Sequence, residues 1–137
     1  MSDGELVRGF NELHYSNGGE PMFDQYNGIS IVAAGDGWAE GELEVSRHSL
    51  NPHGIVHGGA LAALADTVGG CCACSKGGTC VTSGCSIEYL RPANGSKIYC
   101  TATPKKLGRT LSVVALEMTN DQGVVVATAT YTFFMLH

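Results

Sequence analysis

The stretch from Asn51 to Ser75 constrains this chain more than any other: NPHGIVHGG, then ALAALAD, then TVGGCCACS. It reads as a loop feeding a helix of about 19 residues, roughly 28 Å long at the usual rise. That helix is apolar or small on almost every face, so it has to be buried on most sides. Its single carboxylate, Asp66, is the only acidic residue between Glu44 and Glu88. An ionised carboxylate inside a protein is costly unless it is paired, hydrogen-bonded or wetted. No Lys or Arg lies within a helical turn of Asp66 to serve as its partner. Its presence needs a reason.

The rest of the chain supplies what could bury such a helix. Residues 3–14, DGELVRGFNELH, place Leu6, Phe10 and Leu13 at helical spacing, which predicts a short amphipathic cover. A turn-rich connector follows, with one helical turn expected around Pro21 to Tyr26. ISIVAA and WAEGELEVS read as two strands separated by Gly35, Asp36 and Gly37, the second alternating Glu40, Glu42 and Glu44 against Ala39, Gly41, Leu43 and Val45. Gly77 and Gly78 stop the long helix, and four more strands are predicted: TCVTSGCSIEYL, SKIYCTATPKK, RTLSVVALEMT and VVVATATYTFFM. Their short, turn-rich connections read as hairpins, hence antiparallel neighbours.

This pattern predicts an α+β class, one antiparallel sheet of about six strands curved around a long central helix. The 137 residues form one domain, 1–137, of which 1–24 are the N-terminal helix and connector. A single sheet cannot cover the helix on all sides. The small residues Gly58, Gly59, Ala60, Ala62, Ala63, Gly69 and Gly70 allow close approach, so a second subunit is expected on the remaining face.

Charge and cysteine usage narrow the function classes. A net charge of −5 argues against nucleic acid or an anionic membrane as the main partner. Yet five of the eight basic residues, Arg91, Lys97, Lys105, Lys106 and Arg109, cluster between 91 and 109, a local excess that a phosphorylated small ligand could use. No apolar run is long enough for a membrane span, and MSDGELVRGF lacks the apolar core of a signal peptide, so a cytoplasmic location is expected. The six cysteines are then reduced. Their spacings do not repeat as paired metal knuckles, which favours small core filler over a metal site.

His57, Gly58 and Gly59 open the helix, and first-turn amides are free to donate to an oxygen carrying negative charge. Asp66 is the matching base or nucleophile. It lies eight residues on, about 12 Å along the same axis, too far for both to act on one carbonyl. Two helices running antiparallel across a two-fold axis remove the mismatch, setting Gly58 of one subunit against Asp66 of the other.

The run Asn51-Pro52-His53-Gly54-Ile55-Val56-His57-Gly58-Gly59, with Ala65-Asp66 after it and Tyr89-Leu90-Arg91-Pro92 later, resembles the hotdog-fold acyl-CoA thioesterases of the phenylacetate-degradation and thioesterase-superfamily-member-2 type. The resemblance covers roughly residues 25–135. It implies a hotdog fold, dimers that pair into tetramers, and hydrolysis of an acyl- or aryl-CoA thioester without metal or added cofactor, CoA being part of the substrate. It implies that Asp66 attacks the thioester carbonyl or activates water, that the Gly58 N–H polarises the carbonyl, and that Asn51 places substrate or water. It further implies that His57 shapes the helix start and that Thr82 sets a hydroxyl beside the carboxylate. CoA contacts carry over to Gly59, to Tyr89, Leu90, Arg91, Pro92, Ala93 and Asn94, and to Lys106, Leu107, Gly108, Arg109, Thr110 and Leu111. An acyl tunnel lined by the first helix, Met22, Phe23 and the central helix is expected.

Each assignment has a plainer reading. Asn51 would make an Asx-turn before Pro52, His57 would bond backbone at the helix start, Gly58 and Gly59 would be packing glycines, and Thr82 a β-branched strand residue. Two other functions stay open: an acyl-CoA-binding sensor or scaffold with little turnover, and a hydratase or dehydratase. The first has no need of a carboxylate at the carbonyl; the second would want a histidine placed for proton transfer, for which His57 is the sole candidate.

Overall fold

A computed structural model of the protein describes residues 2–14 and 20–137, with Leu13 and His14 described by backbone alone. The expected contact of Leu13 and the connector over 15–19 lie outside the described residues. Helix α1 spans Asp3–His14 and α2 Phe23–Tyr26; β1 (Ile29–Gly35) and β2 (Trp38–Glu44) precede a short turn at Arg47–Ser49. The central helix α3 spans Gly58–Ala73, followed by β3 (Thr79–Tyr89), β4 (Lys97–Leu107), β5 (Leu111–Asn120) and β6 (Val125–Leu136).

Local patterning explains most of these elements. In β2, Ala39, Gly41 and Leu43 are buried while Glu40 and Glu44 face solvent, as strict alternation requires. In β6, Ala127, Ala129, Tyr131, Phe133 and Met135 line the buried face. Helix α3 has 16 residues, three fewer than its composition predicts, because Ser75 Oγ donates to the Cys72 carbonyl at 2.7 Å and draws the chain out of the helical ladder.

The six strands form one antiparallel sheet in the order β1-β2-β4-β5-β6-β3. The hairpin expectation therefore holds for β4–β5 and β5–β6 but fails for β3 and β4, which are not neighbours. The cause lies in the Leu90 to Ser96 crossing. The N–H groups of Leu90 and Arg91 both donate to the Val126 carbonyl, holding β3 on the far side of β6. The Ala93 carbonyl then accepts from Val56 N–H and Ser96 from Val45, which delivers β4 to β2 instead.

Helix α3 touches all six strands, so the sheet wraps it in the hotdog arrangement. Leu61, Leu64, Ala65, Val68, Cys71 and Cys72 pack against Leu43, Ile98, Cys100, Val114, Leu116 and Met118, all buried. Close approach of helix to sheet happens at glycines: a Cβ at Gly41 would lie 2.5 Å from Val68 Cγ2, and one at Gly69 would lie 3.0 Å from Phe133 Cζ. Gly69 thus serves packing within one chain, not contact with a second subunit as its small size alone implied. Cys71, Cys72 and Cys100 are the small core filler expected, whereas Cys85 is exposed and Cys74 and Cys80 are half-buried.

The buried Tyr131 hydroxyl donates to the Ala62 carbonyl at 2.7 Å, fastening the sheet to the turn of α3 that precedes Asp66. Burial pushes this phenol above its ordinary range. Replacing Tyr131 with Phe removes one buried hydrogen bond while keeping the ring, and is expected to lower unfolding free energy by about 1 kcal/mol in a urea titration.

The two sheet edges are treated differently. At β1, the Asn11 side chain of α1 both donates to the Ile31 carbonyl (3.0 Å) and accepts from its N–H (3.1 Å), covering the edge at a bulge. β3 pairs only with β6 among the described residues, and nearly every residue along it is exposed on both faces. No helix among the described residues is long and apolar enough to cross a membrane.

Candidate active site

Asp66 emerges half-exposed from the one stripe of α3 that the sheet leaves uncovered, with Gly59, Ala62, Ala63 and Gly70 along it. The Thr82 hydroxyl donates to its Oδ1 at 2.5 Å. This contact joins the middle of the helix to the edge strand, and it answers the question of the lone carboxylate: Asp66 is hydrogen-bonded and wetted. A bulge at Ser83, between Thr82 and Gly84 in the pairing with β6, re-aims the strand there. Replacing Thr82 with Val keeps shape but removes the donor, freeing the carboxylate to rotate. In the reading the family resemblance implies, with Asp66 the catalytic carboxylate, turnover is expected to fall roughly 10- to 100-fold with the unfolding midpoint little changed, read by steady-state kinetics and thermal melting.

Asp66 and Thr82 line a cavity of about 660 Å³. Leu6, Gly9 and Phe10 of α1, Met22 and Phe23, and Phe133 form much of its wall; the first helix, Met22 and Phe23 are residues from which an acyl tunnel is expected, and Phe133 is not among them. Asp24 was not foreseen. It is 8% exposed at the cavity wall, and the Thr67 hydroxyl donates to its Oδ1 at 3.0 Å across 43 residues of sequence. A local reading has no signal for a pairing that long.

At the other end of the helix, His57 is the N-cap. The Gly59 N–H donates to its Nδ1 at 2.7 Å, so Nδ1 is the acceptor and the helix start is held in shape. The Gly58 N–H donates to no protein acceptor among the described residues, and remains available to a ligand oxygen. Asn51 Oδ1 accepts from His53 N–H (2.9 Å) and Ile55 N–H (3.4 Å), the Asx-turn of the plainer reading, which shapes the loop into α3.

The stretches expected to meet CoA are placed apart. The Tyr89 hydroxyl donates to the Gly58 carbonyl at 3.1 Å, and Arg91 Nη1 donates to the Val125 carbonyl at 2.7 Å. Leu90, Pro92 and Asn94 are exposed beside them, while Ala93 is buried at 2% exposure, so its side chain faces the core and not a ligand. Lys106, Arg109, Thr110 and Leu111 are exposed and Leu107 and Gly108 half-buried in the β4–β5 turn. That turn sits at the sheet end where β3 begins, whereas Tyr89 ends β3, about 30 Å away along an 11-residue strand. One chain does not bring these two stretches together, nor Gly58 to Asp66.

The thioesterase superfamily family model matches residues 53–127, which includes the loop, α3 and most of the sheet. The chain belongs to the thioesterase superfamily. Acyl-coenzyme A thioesterase PaaI of Escherichia coli is 36% identical over 101 residues, spanning 73% of this chain and 72% of that relative. The solved structure of the E. coli PaaI protein from the phenylacetic acid degradation operon superposes with a TM-score of 0.85 at 28% identity, covering 99% of this chain and 97% of that one. A Streptococcus mutans protein solved with bound acetyl-CoA matches at a TM-score of 0.76 and 31% identity, over 92% and 97% of the two chains. As a thioesterase, this chain is an enzyme that cleaves a thioester with water.

Proposed function

We propose that this thioesterase hydrolyses an acyl- or aryl-CoA thioester to the free acid and CoA, at sites shared between two subunits. The observation that carries the reading is the Asp66 carboxylate, held by Thr82 in the wall of an apolar cavity within a chain of this superfamily. CoA as the thiol half is supported by the E. coli relative named as an acyl-coenzyme A thioesterase and by the acetyl-CoA bound to the S. mutans neighbour.

In this reading the acyl group fills the cavity beneath α1 and α2. The thioester carbonyl oxygen takes the free Gly58 N–H of the partner subunit's helix start, where the helix dipole also favours developing negative charge. Asp66 either adds to the carbonyl carbon, giving with loss of the thiolate an acyl–aspartyl anhydride that water then cleaves, or removes a proton from the water that adds. In both routes the C–S bond breaks, the CoA thiolate takes up a proton and leaves as its thiol, and the acid is released. No metal or further cofactor takes part. His57 and Asn51 hold the loop that sets the Gly58 amide, and Asn51 Nδ2 is left over to position substrate or water.

Three features support a homodimer. Gly58 and Asp66 lie about 12 Å apart on one helix; β3 is an uncovered edge beside a bare helical stripe; and the basic Lys106 to Arg109 turn and the Tyr89 to Asn94 stretch occupy opposite ends of β3. A two-fold axis crossing β3 brings both separated pairs together across the dimer and covers that edge. Dimers pairing into tetramers is part of the same proposal. The test is release of free thiol from phenylacetyl-, benzoyl-, hexanoyl- and palmitoyl-CoA. Hydrolysis of at least one supports the reading. Binding of CoA esters with no turnover would establish the sensor alternative instead.

A further inference from the structure

Two of the six cysteines stand apart from the rest. The Cys74 and Cys80 sulfurs are 3.1 Å apart as free thiols, and both line the 660 Å³ cavity that contains Asp66. Cys74 caps the C-terminus of α3 and Cys80 is the second residue of β3. The loop between them is pinned at Ser75, whose Oγ bonds the Cys72 carbonyl and receives the Gly37 N–H, but passes through Gly77 and Gly78 at φ of 112° and 87°. Such a glycine pair lets the ring of residues 74–80 adjust.

The other thiols are poorly placed to compete. Burial pushes Cys71 up to about 12 and Cys72 up to about 11, and raises Cys100 as well. The contact between the two sulfurs, in which the Cys74 thiol donates to the Cys80 sulfur, instead lowers Cys74 and raises Cys80, which makes Cys74 the more readily deprotonated of the two. Cys85 is exposed but has no second cysteine in contact among the described residues. No cluster of three or more metal-ligating side chains includes the pair among the described residues.

We propose that Cys74 and Cys80 form a redox modification site in the wall of the acyl cavity, at which a hydroperoxide closes an intramolecular disulfide that slows hydrolysis at Asp66. The Cys74 thiolate attacks the distal peroxide oxygen, breaking the O–O bond to give a sulfenic acid and an alkoxide, or hydroxide from hydrogen peroxide, which takes up the proton Cys74 gave up and leaves as the alcohol or water. The Cys80 sulfur then attacks the sulfenic sulfur and expels water. The two sulfurs lose two electrons together, the peroxide gains them, and thiol reductants reverse the step. Bonded sulfurs sit near 2.05 Å, so they approach by roughly 1 Å, drawing the start of β3 towards the end of α3. Thr82, two residues beyond Cys80, moves with the strand that bonds Asp66. A displacement of this size in a catalytic group reduces turnover by about 10-fold or more.

The experiment treats the full chain with hydrogen peroxide, then measures thiol content in denaturant, intact mass, peptide maps and acyl-CoA hydrolysis before and after dithiothreitol. The expected result is loss of two of the six thiols, a mass lower by two hydrogen atoms, a 74–80 cross-link, and an activity loss that the reductant restores. In C74S and C80S the two-hydrogen loss disappears and activity, whatever its starting value, no longer responds reversibly. Oxidation at Cys85 first, a cross-link between chains, or a 74–80 disulfide that leaves hydrolysis unchanged would each overturn the proposal. The effect on turnover rests on the thioesterase reading, but thiol content and mass do not, so failure of one is separable from failure of the other.

Discussion

Replacing Asp66 with Asn is expected to cut thioester hydrolysis by about 10³-fold or more while the protein stays folded and still binds CoA ligands. Asn is nearly isosteric, and its amide oxygen can keep the Thr82 hydroxyl bond that Asp66 Oδ1 now accepts. What it loses is the negative charge and the basic oxygen, which the proposed mechanism uses as the carbonyl is attacked. Because the side chain is half-exposed at a cavity wall, the exchange leaves no unpaired group in the core. Thiol release from the best substrate and a thermal melt of the same samples separate the two effects. A variant as active as the native chain would remove Asp66 from the chemistry.

The largest stability effect is expected at Gly41, not at a bulky core residue. A Cβ there would sit 2.5 Å from Val68 Cγ2 on α3 and 2.9 Å from the Ser30 carbonyl oxygen on β1, and one of those contacts is backbone. Val68 is fully buried, so it cannot swing into solvent, and the helix itself must lift off β2. Lifting it loosens Leu43, Ile98 and Cys100 together. Gly41→Val is therefore expected to cost about 3 kcal/mol or more, the upper end for overpacking, against a total stability of roughly 5–15 kcal/mol. Differential scanning calorimetry should show a drop in Tm of about 10 °C or more. Gly4→Ala in α1, where a Cβ would meet nothing within 4 Å, is the matched control and is expected to be neutral or slightly stabilising.

Much of this architecture is legible where local chemistry determines it. β2 shows its alternation because one face meets α3 and the other meets water. The helix start is legible because His57 and Asn51 both cap groups within four residues of themselves. β3 is harder to read, since a strand exposed on both faces has no period to betray its place in the sheet. Its true neighbour is β6, some 40 residues on, along a ladder from Thr79–Leu136 to Tyr89–Ala127 that the bonds from Leu90 and Arg91 to Val126 continue. The same limit hides the chemistry that crosses the fold. Thr82 reaches Asp66 over 16 residues, with a bulge just beyond it, and only the family resemblance points to that contact; Thr67 reaches Asp24 over 43, and Cys80 meets Cys74 because the Gly77 and Gly78 turn folds β3 back on the helix end.

A catalytic unit split between subunits is tested most directly by complementation. Gly58→Pro removes the proposed oxyanion donor at the first helical position, where proline suits the backbone and the exposed Tyr89 ring, 3.3 Å from an added Cβ, has to shift only slightly; His57 before it already has the extended backbone (φ −60°, ψ 137°) that a following proline requires. Alone, this variant is expected to lose roughly 10²- to 10³-fold in turnover. The Asp66→Asn and Gly58→Pro chains are each nearly inactive, but a mixed dimer holds one site with a native Gly58 from the first and a native Asp66 from the second. Equal mixing under subunit exchange makes half the dimers mixed, each with one competent site of two, so about a quarter of native activity should return. Recovery near that level is the result predicted. Mixtures that demonstrably exchange subunits yet stay as inactive as their parents would contradict the shared site.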